Sequence, residues 1–391
     1  MDFLILLAVG VAVSMFVGFN IGGSSTGIAW GPAVGAGLLS KTAAATLMTG
    51  FVFLGGWTVG RNVIATLSDD IITMPITLEA GIAVLFFIGL GILIANVFGV
   101  PVPTSMTTVG AIAGLGLATG TLNWSTMGRI VSWWVVTPII GFWVGGIMGR
   151  YLYPHLDRRF RMAVSEGPLF TVDRSGAIPW PTLGPNTTRD EVVGTAVVLV
   201  VGCYMAFSAG ASNVPNAVAP LVSSAALEVN TAILIAAGAI GLGGFTIARR
   251  TMESVGSELS EISLLAAVLV MVTAASITTF LSYIGIPISL VMSTVMTIVG
   301  LGWGRATRPI AGSDVSEVIR GGTDVEMPMG AITVDTPEDI PKIGEDEPQE
   351  VLDAGELFNP QAVAKYLSMW IIGPTVSLGL SYGFFLALPF V

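Results

Sequence analysis

The chain has 391 residues, of which 53% are hydrophobic and only 11% charged, and its formal net charge is −10. A water-soluble domain carries roughly 25% charged residues, so this chain cannot cover a water-facing surface and reads as an integral, multi-pass membrane protein surrounded by lipid. The acidic balance excludes a nucleic-acid partner, and a single cysteine (Cys203) with a single histidine (His155) excludes an intramolecular disulfide, a Cys/His zinc site and a multi-His haem site.

In chain order, the first half offers apolar segments at 3–19, 42–60, 79–99, 103–120 and 124–153, with a Gly/Ser-rich stretch at 20–40 that reads as broken helix. Runs of this kind approach or exceed the roughly 18 residues that suggest a membrane span. A Pro- and Arg-rich loop at 154–189 follows. The second half offers 191–209, 230–248, 261–284, 287–304 and 360–390, with its own broken stretch at 210–228. A long acidic loop, 305–358, interrupts it before the last segment. The domain reading is therefore 1–153 as a first membrane repeat, 154–189 as a hydrophilic central loop, 190–304 as the first part of a second repeat, 305–358 as the acidic loop, and 359–391 as the segment that completes the second repeat.

The halves repeat one another. Gly22 and Gly210 are 188 apart (210 − 22), as are Pro32 and Pro220, Ala29 and Ala217, and Arg61 and Arg249. PVPTSMTTV from Pro101 matches PISLVMSTV from Pro287 at an offset of 186, and SWWVVTP from Ser132 matches SMWIIGP from Ser368 at 236. The inserted acidic loop accounts for the larger last offset. Five crossings per half is an odd number, so the second half is expected to be inverted relative to the first. The fold class expected is all-α integral membrane, with two inverted-topology repeats of about five spanning segments each plus broken or re-entrant helices. Basic residues favour the cytoplasmic side. Arg150, Arg158, Arg159 and Arg161 therefore place the central loop inside a plasma membrane and both termini outside.

Four stretches put small polar residues, Gly and Pro within apolar surroundings: 20–32, 101–110, 208–220 and 287–295. Irregular backbone at membrane depth is tolerated only where protein or a polar cavity satisfies it, and half-helix N-termini suit anions. The first half supplies Ser24, Ser25, Thr26, Thr104, Ser105, Thr107 and Thr108; the second supplies Ser212, Asn213, Asn216, Ser289, Ser293 and Thr294. Any one of these hydroxyls is explained by close helix packing. Their recurrence at matching repeat positions points to a binding site for a small oxyanion. No intramembrane carboxylate pair, His-based triad or metal constellation is visible, so an enzyme is not expected.

At these residues the chain resembles the inorganic phosphate transporter family, the PiT-type sodium- or proton-coupled symporters. The family's Gly-Ala-Asn-Asp-Val-Ala-Asn-Ala type motif corresponds to Gly22–Ala29 in the first half and to Gly210–Ala217 in the second. Its Pro-x-Ser-Thr-Thr-His type segment corresponds to Pro101–Met106 and Pro287–Met292, and its Trp-x-x-Ser/Thr-Pro element to Trp134–Pro138 and Trp370–Pro374. This chain departs from the pattern at both motif aspartates, replaced by Ser25 and Asn213, and at both histidines, replaced by Met106 and Met292. The resemblance implies a secondary transporter working by alternating access, carrying phosphate first and sulfate or another oxyanion second, with no cofactor beyond a coupling sodium ion. A non-transporting receptor or regulatory subunit is the reading from another class. Substrate contacts are expected at Ser24, Ser25, Thr26, Thr104, Ser105, Ser212, Asn213, Asn216, Ser289 and Ser293, and coupling-ion contacts at Asn20, Ser25, Asn213 and Asn216. The resemblance also implies a homodimer.

Overall fold

Apolar runs punctuated by Ser, Thr and Asn caps become helices whose starts those side chains fix. The computed structural model describes residues 3–97, 103–159, 170–173, 180–183, 187–248, 252, 263–307 and 360–388. The helices of the first half are α1 (Phe3–Gly35), α2 (Lys41–Trp57), α3 (Gly60–Ala65, continued by a π-helical turn Thr66–Asp70), α4 (Leu78–Val97), α5 (Thr104–Ala118) and α6 (Trp124–Ile147). A second π turn, Met148–Leu152, leads into α7 (Tyr153–Arg159). The second half has α8 (Arg189–Ser223), α9 (Val229–Thr246), α10 (Leu264–Tyr283), α11 (Leu290–Ala306) and α12 (Pro360–Ala387). The side chains of Ser40, Asn123, Thr188, Ser263 and Ser289 accept from backbone N–H groups at the starts of α2, α6, α8, α10 and α11, each satisfying a donor that the helix itself leaves free.

One expectation is corrected and two gain detail. The stretches 20–40 and 210–228 are not breaks at membrane depth: α1 and α8 run unbroken for 33 and 35 residues, through Pro32 and through Pro215 and Pro220, before turning at their ends. Their glycines serve close packing instead. Not every segment is long enough to span. Among the described residues six helices pass on length and composition, or seven if α2 and the segment Gly60–Asp70, bent by 60°, count as one. The 15 residues of α5 reach only about 22 Å, short of the roughly 30 Å hydrocarbon core, which fits the re-entrant class. Lastly, the central loop contains a small antiparallel hairpin, β1 (Phe170–Asp173) with β2 (Trp180–Leu183), in the register Phe170–Leu183. The acidic loop beyond Thr307, and Pro101 with Val102, lie outside the described residues.

The repeat read in the sequence governs how the helices pack. By offset, α1 corresponds to α8, α2 to α9, α4 to α10, α5 to α11 and α6 to α12. Helix α1 packs on α9 as α8 packs on α2, and α5 packs on α12 as α11 packs on α6. The contacts repeat residue by residue. A side chain at Gly22 would strike the backbone of Ile240, and one at Gly210 the backbone of Val52; 22 and 210, and 52 and 240, are both 188 apart. Gly243 against Phe19 and Gly55 against Phe207 repeat at the same offset. Such small-residue crossings bring backbones together where no hydrophobic force drives helix association.

Helix directions follow from the same contacts. Gly10 meets Leu221, the Ser14 hydroxyl donates to the Ala217 carbonyl at 2.7 Å, and Trp30 lies over Gly202, so α1 and α8 cross antiparallel. Gly145 of α6 and Gly149 of the π turn that continues it pack on the backbone at Thr297 and Leu301 of α11, so these two helices run parallel. Turns repeat as well. Gly37, at φ +71°, ends α1 with the Gly37 N–H on Val34 O and the Leu38 N–H on Ala33 O, a left-handed helix stop. Its counterpart 188 residues on is Ala225, at φ +54°.

Candidate functional site

Where α1 and α8 cross, their middle turns meet the N-terminus of α5. Asn213 Nδ2 donates to Ser25 Oγ at 3.0 Å, and Asn213 Oδ1 accepts from Thr104 Oγ1 at 2.7 Å. Asn216 Nδ2 donates to Ser105 Oγ at 3.0 Å and to Thr104 Oγ1 at 3.4 Å. Ser105 Oγ in turn donates to Ile288 O at 2.9 Å, and the Ser212 carbonyl lies 3.5 Å from that hydroxyl. The directions are self-consistent: the Thr104 and Ser105 hydroxyl protons are committed to Asn213 and Ile288, so both hydroxyls accept from Asn216. That leaves Asn216 Oδ1 buried with no hydrogen-bond partner. A buried amide carbonyl without a donor costs on the order of 1–3 kcal/mol, and a cation or a protonated ligand oxygen would relieve it.

Five of the expected residues, Ser25, Thr104, Ser105, Asn213 and Asn216, are therefore side-chain members of one network, and Ser212 joins through its carbonyl. The others lie elsewhere. Ser24 Oγ donates to Ile21 O at 3.1 Å and Thr26 Oγ1 to Gly22 O at 2.7 Å, both back onto α1. Asn20 Nδ2 donates to Phe16 O at 2.8 Å. Ser289 caps α11 through the Met292 N–H, and Ser293 Oγ accepts from Thr278 Oγ1 at 3.3 Å.

The network is neutral and one-sided. Asn216 is fully buried and Asn213 only 5% exposed, with no charged side chain among the partners. At the repeat positions of Thr104 and Ser105 stand Leu290 and Val291, and at that of Asn216 stands Ile28. Only the side built from α5 and α8 keeps the polar pairing. The α5 N-terminus has no side-chain cap, and its first intrahelical bond is the Thr107 N–H to Pro103 O at 3.1 Å. The N–H groups of Thr104, Ser105 and Met106 thus stand at a positive dipole end, whereas α11 is capped by Ser289.

Sequence reasoning missed two supports. Trp134 Nε1 donates to Pro287 O at 2.9 Å, tying α6 of the first half to the turn that carries Ile288. Trp134 stands in a motif whose spacing is legible in the sequence but whose partner is not. Thr278 lies in a helix with several other hydroxyls, Thr273, Ser276, Thr279 and Ser282, and nothing local distinguishes it from them.

Three comparisons bear on this arrangement. The sulfate permease CysP of Bacillus subtilis is 28% identical over 95% of this chain and 85% of its own length. The chloroplastic inorganic phosphate transporter 2-1 of Arabidopsis thaliana is 24% identical over 81% of this chain and 69% of its own. A solved structure of a sodium-dependent phosphate transporter superposes with a TM-score of 0.69 over 99% of both chains at 18% identity, a likeness of fold. A sequence model described as the phosphate transporter family matches residues 21–381, and since that is most of the chain, this protein belongs to the phosphate transporter family.

Proposed function

We propose that this protein moves an inorganic tetrahedral oxyanion, phosphate first, across a plasma membrane by alternating access between two inverted repeats. Membership of a transporter family sets enzymatic catalysis aside. The observation that carries the reading is the buried network itself: Ser25 of one half bonds Asn213 of the other, and Asn213 bonds Thr104 at the uncapped N-terminus of α5. N–H groups at a helix start that no side chain caps, with neutral hydroxyls around them, are the donors an oxyanion needs. The antiparallel crossing of α1 and α8 supports inverted halves, and inverted repeats place the substrate where they meet. The central loop then faces the cytoplasm and both termini the outside.

Coupling to sodium is supported by the structural neighbour, a sodium-dependent transporter, and by the donor set. Hard cations take oxygen ligands, and Asn216 Oδ1 and Ser25 Oγ are neutral oxygens at the same site. Losing both motif carboxylates weakens such a site without removing it.

Sulfate is the second reading, favoured by the likeness to a sulfate permease. A fully ionised sulfate asks only for donors, and a network without carboxylates offers them. Uptake of labelled phosphate into proteoliposomes, with and without a sodium gradient and with sulfate as competitor, decides among these. Phosphate uptake that sulfate does not inhibit supports the first reading. Sulfate uptake alone moves the assignment to the second, and no uptake of either anion by folded protein removes both.

A further inference from the structure

We infer that Arg150 and Arg305, framed by Trp143, Tyr151 and Trp303, form a docking site for the phosphate headgroup of an anionic phospholipid, apart from the transport network. The parallel packing of α6 and α11 through Gly145 and Gly149 brings the C-terminal ends of both helices out on one side. The two arginines stand at those ends. The Arg305 guanidinium lies 4.4 Å from the Tyr153 ring centroid, and Tyr153 is three residues past Arg150 on the same continuous helix. Arg150 in turn lies 5.7 Å from the ring centroid of Tyr151.

Among the described residues neither guanidinium faces an anion; the ion pair there is Arg129 with Asp70 at 3.9 Å, and Arg129 sits near the opposite end of α6. Arg150 Nε is buried with no hydrogen-bond partner. A cation half-withdrawn from water without a counter-charge is unfavourable, so this geometry calls for one. Capping of the last helix carbonyls is the ordinary use of an arginine at a helix end, but among the described residues Arg150 Nε finds no such acceptor. The π turn Met148–Leu152 re-registers the helix at Arg150, a device common at functional positions.

The surroundings select a lipid rather than a soluble ion. Trp143, Tyr151 and Trp303 are 53%, 61% and 42% exposed, and the Trp143 and Trp303 rings meet edge-on at 5.9 Å. Half-exposed Trp and Tyr beside arginines mark headgroup depth in a membrane protein, and basic pockets between helices at that depth bind anionic headgroups. The fold itself does not require the arginines. Their repeat counterparts at the ends of α5 and α12 are Thr119 (305 − 186) and Leu386 (150 + 236).

Native mass spectrometry of the purified full chain, titrated with phosphatidylglycerol or phosphatidylcholine in detergent, tests the site. The wild type is expected to retain phosphatidylglycerol in preference to phosphatidylcholine. The R150Q/R305Q protein is expected to bind phosphatidylglycerol at least about tenfold more weakly, on the scale of two surface arginines facing an anionic lipid. R129Q is expected to bind as the wild type does, and excess inorganic phosphate to leave the lipid in place. Equal phosphatidylglycerol binding by R150Q/R305Q, equal loss in R129Q, or displacement by inorganic phosphate would each overturn the proposal. If the double variant does not fold, R305Q alone carries the same comparison.

Discussion

The Asn213 amide donates to the Ser25 hydroxyl at 3.0 Å, and the two residues are 188 positions apart, the same offset that relates the two halves of the chain. Each residue is the other's repeat counterpart. On the proposed alternating-access mechanism, a movement of one repeat against the other works on this bond. The S25A/N213A protein is therefore expected to lose uptake of its oxyanion while keeping a wild-type elution profile in size-exclusion chromatography. Unchanged uptake would remove these residues from the site.

The same network holds no titratable side chain. Sulfate does not titrate near neutrality, so if the protein carries it, wild-type uptake should be flat across that range. Asn213→Asp places a carboxyl among the neutral groups of the network. It is then protonated at low pH and ionised as pH rises, with the charge opposing the incoming anion. Uptake by the variant should fall with rising pH in proteoliposomes buffered equally on both sides; a flat profile would mean that the position does not face the anion.

Packing predicts a matched pair of failures. Gly22 and Gly210 each face a backbone 188 residues away from the other's contact. Gly22→Val and Gly210→Val should each destabilise by at least about 1–3 kcal/mol, the usual cost of overpacking. Gly50 and Gly379 lie within helices and have nothing within 4 Å of an added Cβ, and Gly→Ala there should leave stability unchanged or raise it by up to about 1 kcal/mol. Thermal melting in detergent separates the two classes.

Ala225 adopts φ +54° where its counterpart is Gly37 at φ +71°. A left-handed backbone costs a non-glycine residue roughly 1–2 kcal/mol. Ala225→Gly should thus stabilise the protein by about 1 kcal/mol, offset in part by the greater entropy of the unfolded glycine. A lower melting temperature would contradict this.

Inverted topology puts equivalent turns on opposite sides of the membrane. Ser40, between α1 and α2, is expected inside, and Ala226, between α8 and α9, outside. With Cys203 replaced by Ser, an impermeant maleimide applied to intact cells should label A226C and should reach S40C only after permeabilisation. Labelling of both from one side would exclude inversion.

Much of this was legible before any coordinates, because a repeat is a long-range constraint written in local letters. The offset of 188 paired Gly22 with Gly210, and the structure uses that pairing contact by contact. Gly and Pro misled at 20–40 and 210–228. In a soluble chain they interrupt helices, whereas in this buried crossing the glycines permit close approach and α8 runs on through Pro215 and Pro220. Of the candidate hydroxyls, Ser25 and Ser105 reach across to other elements while Ser24 and Thr26 turn back on their own helix. Adjacent residues on one helix point about 100° apart, and composition alone does not say which of them faces the partner.

The polar pairing on the α5 side, set against Leu290 and Val291 on the α11 side, has an energetic consequence. In a carrier made of two identical inverted halves, the inward-open and outward-open forms would be mirror exchanges of each other and equal in energy. Side chains that differ between the halves remove that degeneracy. If the protein works by alternating access as proposed, the empty carrier then has a preferred resting orientation, and influx and efflux under equal and opposite gradients run with different half-saturation concentrations. The contrast of two hydroxyls with two aliphatic side chains thus biases where a nearly symmetric machine rests, while the gradients alone set the direction of net flux.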